Sequence, residues 1–124
     1  MTLKELYTLI DADYDSAMRV LRMEKLLDKH IRKLPANPVF ADLDRAGQTL
    51  DPTAVFDSAH AIKGVCANLG LVKLAQAASV LCEAYRPGSE QPLSADETRQ
   101  KIDEIQTLYG KAADGVRRYV QENG

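Results

Sequence analysis

The chain has 124 residues, of which 45% are hydrophobic and 27% are charged, a composition typical of one globular domain with its own core. Its 16 Lys and Arg residues nearly balance 18 Asp and Glu residues, for a formal net charge of −2, and this lack of a basic excess argues against a nucleic-acid partner. No apolar run approaches the roughly 20 residues that span a bilayer, and the N-terminus lacks the pattern of a secretory signal, so we expect a cytoplasmic protein with no membrane partner.

Apolar residues at helical spacing predict helices throughout the N-terminal third. The first helical stretch extends from about Leu3 to Lys33, and Asp11-Ala12-Asp13 is its expected break because aspartate caps helices. Pro35 ends this region. Asn37-Pro38 then combines a capping residue with proline at the first helical position, which predicts a short helix to about Gln48.

Two longer helices follow, each with a clear boundary. Asp51-Pro52 repeats the start signal, and Gly70 is suited to end that helix in a left-handed conformation. The next helix is predicted from about Leu71 to Arg86, before a polar loop at 87–93. The two cysteines, one in each helix, are too few for a disulfide scaffold and are expected to be buried as thiols.

The last helix begins at a capping box, Ser94-Ala95-Asp96-Glu97. Its apolar residues alternate three and four apart, as in an antiparallel bundle, whereas Gly110 and Gly115 leave its end undetermined. We therefore predict an all-α single domain over residues 1–124, an antiparallel up-and-down four-helix bundle. The N-terminal region supplies the fourth member, with additional short helices beside it.

On the helix that begins after Asp51, a stripe of apolar residues faces the core and a second group of residues faces outward. The core stripe has spacings of four, three, four and three and consists of Val55, Ala59, Ile62, Cys66 and Leu69. Since a helix turns about 100° per residue, His60 lies more than 90° from the centre of that stripe. Lys63, Gly64 and Ala67 share its side, and Phe56 lies one turn before it.

This outward side suits reversible covalent chemistry with a partner protein. A neutral imidazole is a nucleophile that forms covalent intermediates, so His60 is the candidate acceptor of a phosphoryl group. Lys63 is placed to offset the charge of that group. Gly64 costs about 1 kcal/mol relative to alanine within a helix, and with Ala67 it leaves room for a partner's active site. Phe56 would offer the partner apolar surface.

The run His60-x-x-Lys63-Gly64-x-x-x-x-Leu69-Gly70 resembles the signature of histidine-containing phosphotransfer (HPt) domains. The helix from Leu74 to Arg86 is also similar to its counterpart in that family, and the resemblance covers about residues 38–86. It implies a four-helix bundle that relays a phosphoryl group between aspartates of response-regulator receiver domains, supplied by a hybrid histidine kinase.

In that resemblance His60 is the phosphoacceptor, Lys63 stabilises the phosphoryl group and Gly64 provides access. The resemblance also implies a monomeric phosphocarrier, not an enzyme, with no cofactor of its own and with Mg²⁺ supplied by the receiver. One position departs from the family. Some members carry Gln or Glu 22 residues after the histidine, to hydrogen-bond its ring, whereas this chain has Cys82, with Ser79 one turn earlier. Because a thiol is a weak hydrogen-bonding group, ring orientation would then rest on Ser79, on water or on nothing, and the sequence leaves open whether Ser79 or Cys82 orients His60.

The same residues allow three other interpretations. A histidine-kinase dimerisation domain usually has an acidic residue directly after its histidine and a proline soon after, but here Ala61 follows and the next proline is Pro87. A metal site would have to use the four soft ligands His30, His60, Cys66 and Cys82, which show no paired ligand spacing. A non-catalytic helical adaptor that binds receiver or other signalling domains without phosphotransfer stays open, although the intact key residues argue against it.

Overall fold

The computed structural model describes residues 1–90 and 92–124, and within them the regular structure is entirely helical. The helices are α1 Leu3–Leu9, α2 Tyr14–Leu21, α3 Glu24–Ile31, a 3₁₀ turn Leu34–Ala36, α4 Val39–Thr49, α5 Pro52–Asn68, α6 Val72–Tyr85 and α7 Ala95–Asn123. Of the helices described, none has the length and apolar character that a bilayer span requires.

Helices α4, α5, α6 and α7 form a closed ring of packed neighbours, which confirms the predicted four-helix bundle. The ring of Phe40 in α4 stacks on Tyr109 of α7, with centroids 3.8 Å apart. Seven residues later, Gly47 faces Ile102, seven residues before Tyr109, so these two helices are antiparallel. The fourth member of the bundle is therefore α4, rather than the stretch before it, and α1–α3 are the additional short helices.

The stretch between Leu3 and Lys33 is broken twice. The predicted break is confirmed at Asp13, whose carboxylate accepts a hydrogen bond from the Ser16 backbone N–H at 2.9 Å and caps α2. A second break, not predicted, lies at Arg22, which ends α2 in the left-handed region with a φ of 68°. A left-handed arginine is uncommon, so the sequence carries no local signal for it.

The ends of α5 agree with their predicted signals. The Asp51 carboxylate accepts from the Ala54 N–H at 3.1 Å, and Pro52 is the first helical residue. Gly70 has a φ of +69°, and a Cβ on it would lie 2.2 Å from the carbonyl oxygen of Asp13. Glycine is thus required both by the conformation and by the close approach of α2. Helix α4 begins at Val39, one residue later than predicted. Pro38 precedes the helix, and Asn37 Oδ1 accepts a hydrogen bond from the Val39 N–H.

Helix α7 begins at the predicted capping box, in which Ser94 and Glu97 each bond the other's backbone N–H. It continues through both glycines to Asn123. A Cβ on Gly115 would lie 2.3 Å from Cγ2 of Ile10, so this glycine lets α1 approach α7. Packing against α1 and α4 offsets the low helix propensity of glycine.

The core contains the predicted apolar stripe of α5, which is fully or almost fully buried. Cys66 and Cys82 are buried as free thiols, as predicted. Burial raises the pKa of the Cys66 thiol to about 12, because the surrounding apolar side chains disfavour the thiolate. On α6, Leu74, Ala78 and Leu81 are buried, whereas Tyr85 is half-buried and its hydroxyl bonds that of Thr98 at 2.8 Å.

Candidate functional site

One face of α5 is exposed along its whole length. The exposed residues of this face recur three or four apart and are Thr53, Asp57, His60, Gly64 and Ala67. The buried stripe occupies the other side of the same helix. Lys63 lies at the edge of the exposed face and is half-buried. The structure therefore places His60, Lys63, Gly64 and Ala67 on the side that the helical spacing predicted.

The His60 imidazole is held between two neighbours. Its Nδ1 atom lies 3.8 Å from Sγ of Cys82 on α6, and its ring lies against that of Phe56, with centroids 5.8 Å apart and planes at 16°. Since Cys82 is completely buried, Nδ1 faces the seam between α5 and α6. His60 itself is exposed, and its other ring nitrogen, Nε2, has no hydrogen bond to a residue that the structure describes.

Of the two residues predicted as candidates to orient the ring, Cys82 makes a hydrogen-bonding contact with it. Ser79 is half-buried one turn earlier on α6, and no hydrogen bond joins it to His60 in the described part of the chain. A thiol is a weak hydrogen-bonding group. The Phe56 ring therefore shares in setting the plane of the imidazole.

Gly64 is not required by packing within the protein. Outside its own helix backbone and chain neighbours, a Cβ built on it would meet no described residue within 4 Å, in contrast to Gly70 and Gly115. Ala67 continues the same exposed strip of small side chains. The surface beyond His60 is consequently open to a partner, and nothing inside the domain explains the glycine.

Charged residues flank the site at the C-terminal end of α6. The Arg86 guanidinium lies over the Phe56 ring, 5.7 Å from its centroid, and its Nη2 and Nε atoms donate to Glu83 at 2.8 and 3.3 Å. The hydrogen bond and charge of Arg86 lower the pKa of Glu83, with a smaller contribution from the charge of Lys63. Glu83 is thus acted on by two cations, Arg86 and Lys63, and Arg86 also contacts Phe56, the neighbour of the imidazole.

Sequence reasoning did not single out Arg86 or Glu83. The signal that could have found Arg86 is antiparallel pairing. If His60 meets Cys82, then Phe56, four residues before the histidine, must face the residue four after the cysteine. That register is visible only once one contact between α5 and α6 is known.

Among the residues that the structure describes, no group of three or more His, Cys, Asp and Glu side chains is arranged to hold a metal ion. His30 is exposed on α3, and Cys66 faces the core from the side of α5 opposite to the exposed face. Of the four soft ligands considered, only His60 and Cys82 come together.

Comparison with known proteins gave one match. A family model described as Hpt domain matches residues 15–115, which extends from the start of α2 into the second half of α7. Neither the search of curated proteins nor that of solved structures found a significant match.

Proposed function

The chain belongs to the Hpt domain family, and from that premise we propose that it carries a phosphoryl group on His60 between receiver-domain aspartates in a multistep phosphorelay. The observation that supports this most directly is the orientation of the His60 ring. Nδ1 is turned towards buried Cys82, and Nε2 is therefore the nitrogen available at an exposed, uncrowded surface. The acceptor atom would be Nε2.

In the forward step, the lone pair of Nε2 attacks the phosphorus atom of an aspartyl phosphate on the receiver. The N–P bond forms as the P–O bond to the aspartate breaks, and the departing carboxylate takes the bonding electron pair. The proton on Nδ1 stays on the ring. The reverse sequence passes the phosphoryl group to a second receiver.

The neighbouring residues would support this transfer in distinct ways. Lys63, one turn after His60, would offset the negative charge of the phosphoryl group. Gly64 and Ala67 would admit the receiver's active site, because neither adds bulk beside the reactive nitrogen. Phe56 would contribute apolar surface to docking, and its contact with the imidazole adds a role in holding the ring.

The proposal includes the setting of the protein. Its partners would be response-regulator receiver domains and a hybrid histidine kinase, with no nucleic acid and no membrane. It would act as a cytoplasmic monomer and as a phosphocarrier rather than an enzyme. It would need no cofactor of its own, and the Mg²⁺ that assists transfer would reside in the receiver.

Phosphotransfer from a receiver tests the proposal directly. Incubation with a ³²P-labelled phosphoreceiver should label the protein on a group that is labile to acid and stable to base. His60→Gln should abolish the label, whereas His30→Gln, the matched control on α3, should keep it. Thermal unfolding should show both variants folded. Label that survives in the His60→Gln protein would contradict the assignment.

Lys63 is tested separately. Lys63→Ala should shorten the lifetime of the phosphohistidine, because the charge of the phosphoryl group then lacks its nearest counter-charge. Lys29→Ala, at an exposed position on α3, serves as the control for loss of a lysine. An unchanged lifetime in Lys63→Ala would show that the phosphoryl group lies out of reach of Lys63.

A further inference from the structure

The α6 residues beside His60 form a connected set of contacts. Cys82 meets Nδ1 of the imidazole at 3.8 Å, and Glu83 is the next residue along the helix. Glu83 binds Arg86 through both carboxylate oxygens. Arg86 lies over Phe56, which in turn lies against the His60 ring. A single carboxylate is thereby tied to the immediate surroundings of the acceptor.

Glu83 is shared between the cations on this side of the domain. Its two hydrogen bonds go to Arg86, and the charge of Lys63, across the α5–α6 seam, also favours its ionised form. A phosphoryl group on His60 would bring further negative charge to the same place. Carboxylate and phosphoryl oxygens compete for the same guanidinium and ammonium donors.

We propose that Glu83 is a positioning residue that occupies the cations of the acceptor site while His60 is unphosphorylated and competes with the phosphoryl group for them afterwards. This inference rests on the proposed function of His60. Its consequence is that Glu83 weakens the hold of the protein on the phosphoryl group and favours passing it on. Lys63 and Arg86 act in the opposite sense.

The expected size of the effect follows from exposure. Glu83 and Arg86 are both about half exposed, so their charges act through a high dielectric and are screened by salt. Removing the carboxylate charge should therefore change the lifetime of the phosphohistidine by about threefold at low ionic strength. The change should shrink as salt is added.

Potassium phosphoramidate provides a test that needs no partner protein. Nε2 displaces ammonia from the reagent, so an N–P bond forms as the original N–P bond breaks. After the reagent is removed, ³¹P NMR follows the loss of phosphohistidine in the wild type, Glu83→Gln and Glu104→Gln. Glu104 is the matched control, because it forms a similar i,i+3 ion pair with Lys101 on α7.

We expect Glu83→Gln to lengthen the phosphohistidine half-life about threefold in low salt, with a smaller gain in 1 M salt, and Glu104→Gln to match the wild type. Equal half-lives for the two variants would overturn the inference. A shorter half-life in Glu83→Gln would also overturn it, since Glu83 would then be needed to hold Arg86 in place.

The two proposals fail in different ways. A wild-type protein that phosphoramidate labels on His60, but that no phosphoreceiver labels, would overturn the relay function and leave the half-life comparison to decide the role of Glu83. A wild-type protein that neither phosphoramidate nor a phosphoreceiver labels on His60 would overturn both proposals.

Discussion

Sγ of Cys82 lies 3.8 Å from Nδ1 of His60, so the inner edge of the imidazole meets a buried thiol rather than an amide or a carboxylate. This contact joins the middle of α5 to the last turn of α6. A thiol can donate or accept only weakly, which makes the contact a mild constraint on the ring. The aromatic contact with Phe56 supplies a second constraint from within α5.

Replacing Cys82 with alanine should therefore change the state of the ring more than the transfer itself. We expect Cys82→Ala to alter the tautomer populations of His60, read from the ring ¹⁵N chemical shifts, and to keep labelling within about threefold of the wild type because the lost bond is weak. Cys66→Ala is the matched control, since Cys66 is equally buried but faces the core away from His60. Identical ring shifts in both variants would contradict an orienting role for Cys82.

Substitutions at Gly64 can test the stability of the helix separately from the access of the partner protein. A Cβ there would meet no described residue within 4 Å beyond its own helix backbone and chain neighbours, and the same holds for Gly110. Gly64→Ala and Gly110→Ala should each raise the free energy of unfolding by about 0.5–1 kcal/mol, because alanine is the better helix former. Chemical denaturation measures this gain.

A larger residue at the same position should obstruct the partner. Gly64→Gln is expected to slow transfer from a phosphoreceiver by about tenfold or more, equivalent to ~1.4 kcal/mol in the barrier, whereas Gly110→Gln should transfer at the wild-type rate. Rapid-quench kinetics distinguish the two variants. Equal transfer rates would show that the receiver does not approach over Gly64.

Replacing Gly115 with alanine should destabilise the protein, whereas the same replacement at Gly64 should stabilise it. Its added Cβ would lie 2.3 Å from Cγ2 of Ile10, a branched side chain in the α1–α7 contact, so Gly115→Ala should lower the free energy of unfolding by about 1–3 kcal/mol through overpacking. Gly47→Ala is the comparison, because its Cβ would meet only the flexible end of Ile102 at 2.8 Å. Gly47→Ala should cost less, and the reverse order in denaturant titrations would disprove the packing argument.

The raised pKa of the Cys66 thiol predicts a loss of stability at alkaline pH. Its pKa rises from 9.0 in the unfolded reference to about 12 in the fold, so the unfolded chain loses this proton first as the pH increases. The contribution of this thiol to the free energy of unfolding should therefore be fully present below pH 9. It should be lost at a rate of at most about 1.4 kcal/mol per pH unit between pH 9 and about 12. Cys66→Ala should show a shallower fall in denaturant titrations over that range, and an equal slope would contradict it.

Local signals in the sequence predicted most of the helix boundaries. Asp13, Asp51 and Ser94 cap helices as predicted, and Gly70 ends α5 with a positive φ. These features depend on residues within one helical turn of each other, so they can be predicted from the sequence without knowledge of the fold. The second N-terminal break, at Arg22, could not be predicted, because an arginine in the left-handed conformation has no preferred sequence pattern.

What the sequence determined by itself about this protein is the outward side of α5 and the presence of His60 on it, since helical periodicity decides which residues share a face. Only the tertiary structure decided that Cys82 meets the ring, that Arg86 lies over Phe56 and binds Glu83, and that α4 completes the bundle. Those facts depend on the register between helices that are distant in the chain. Register is set by packing of whole faces, and no short stretch of sequence encodes it.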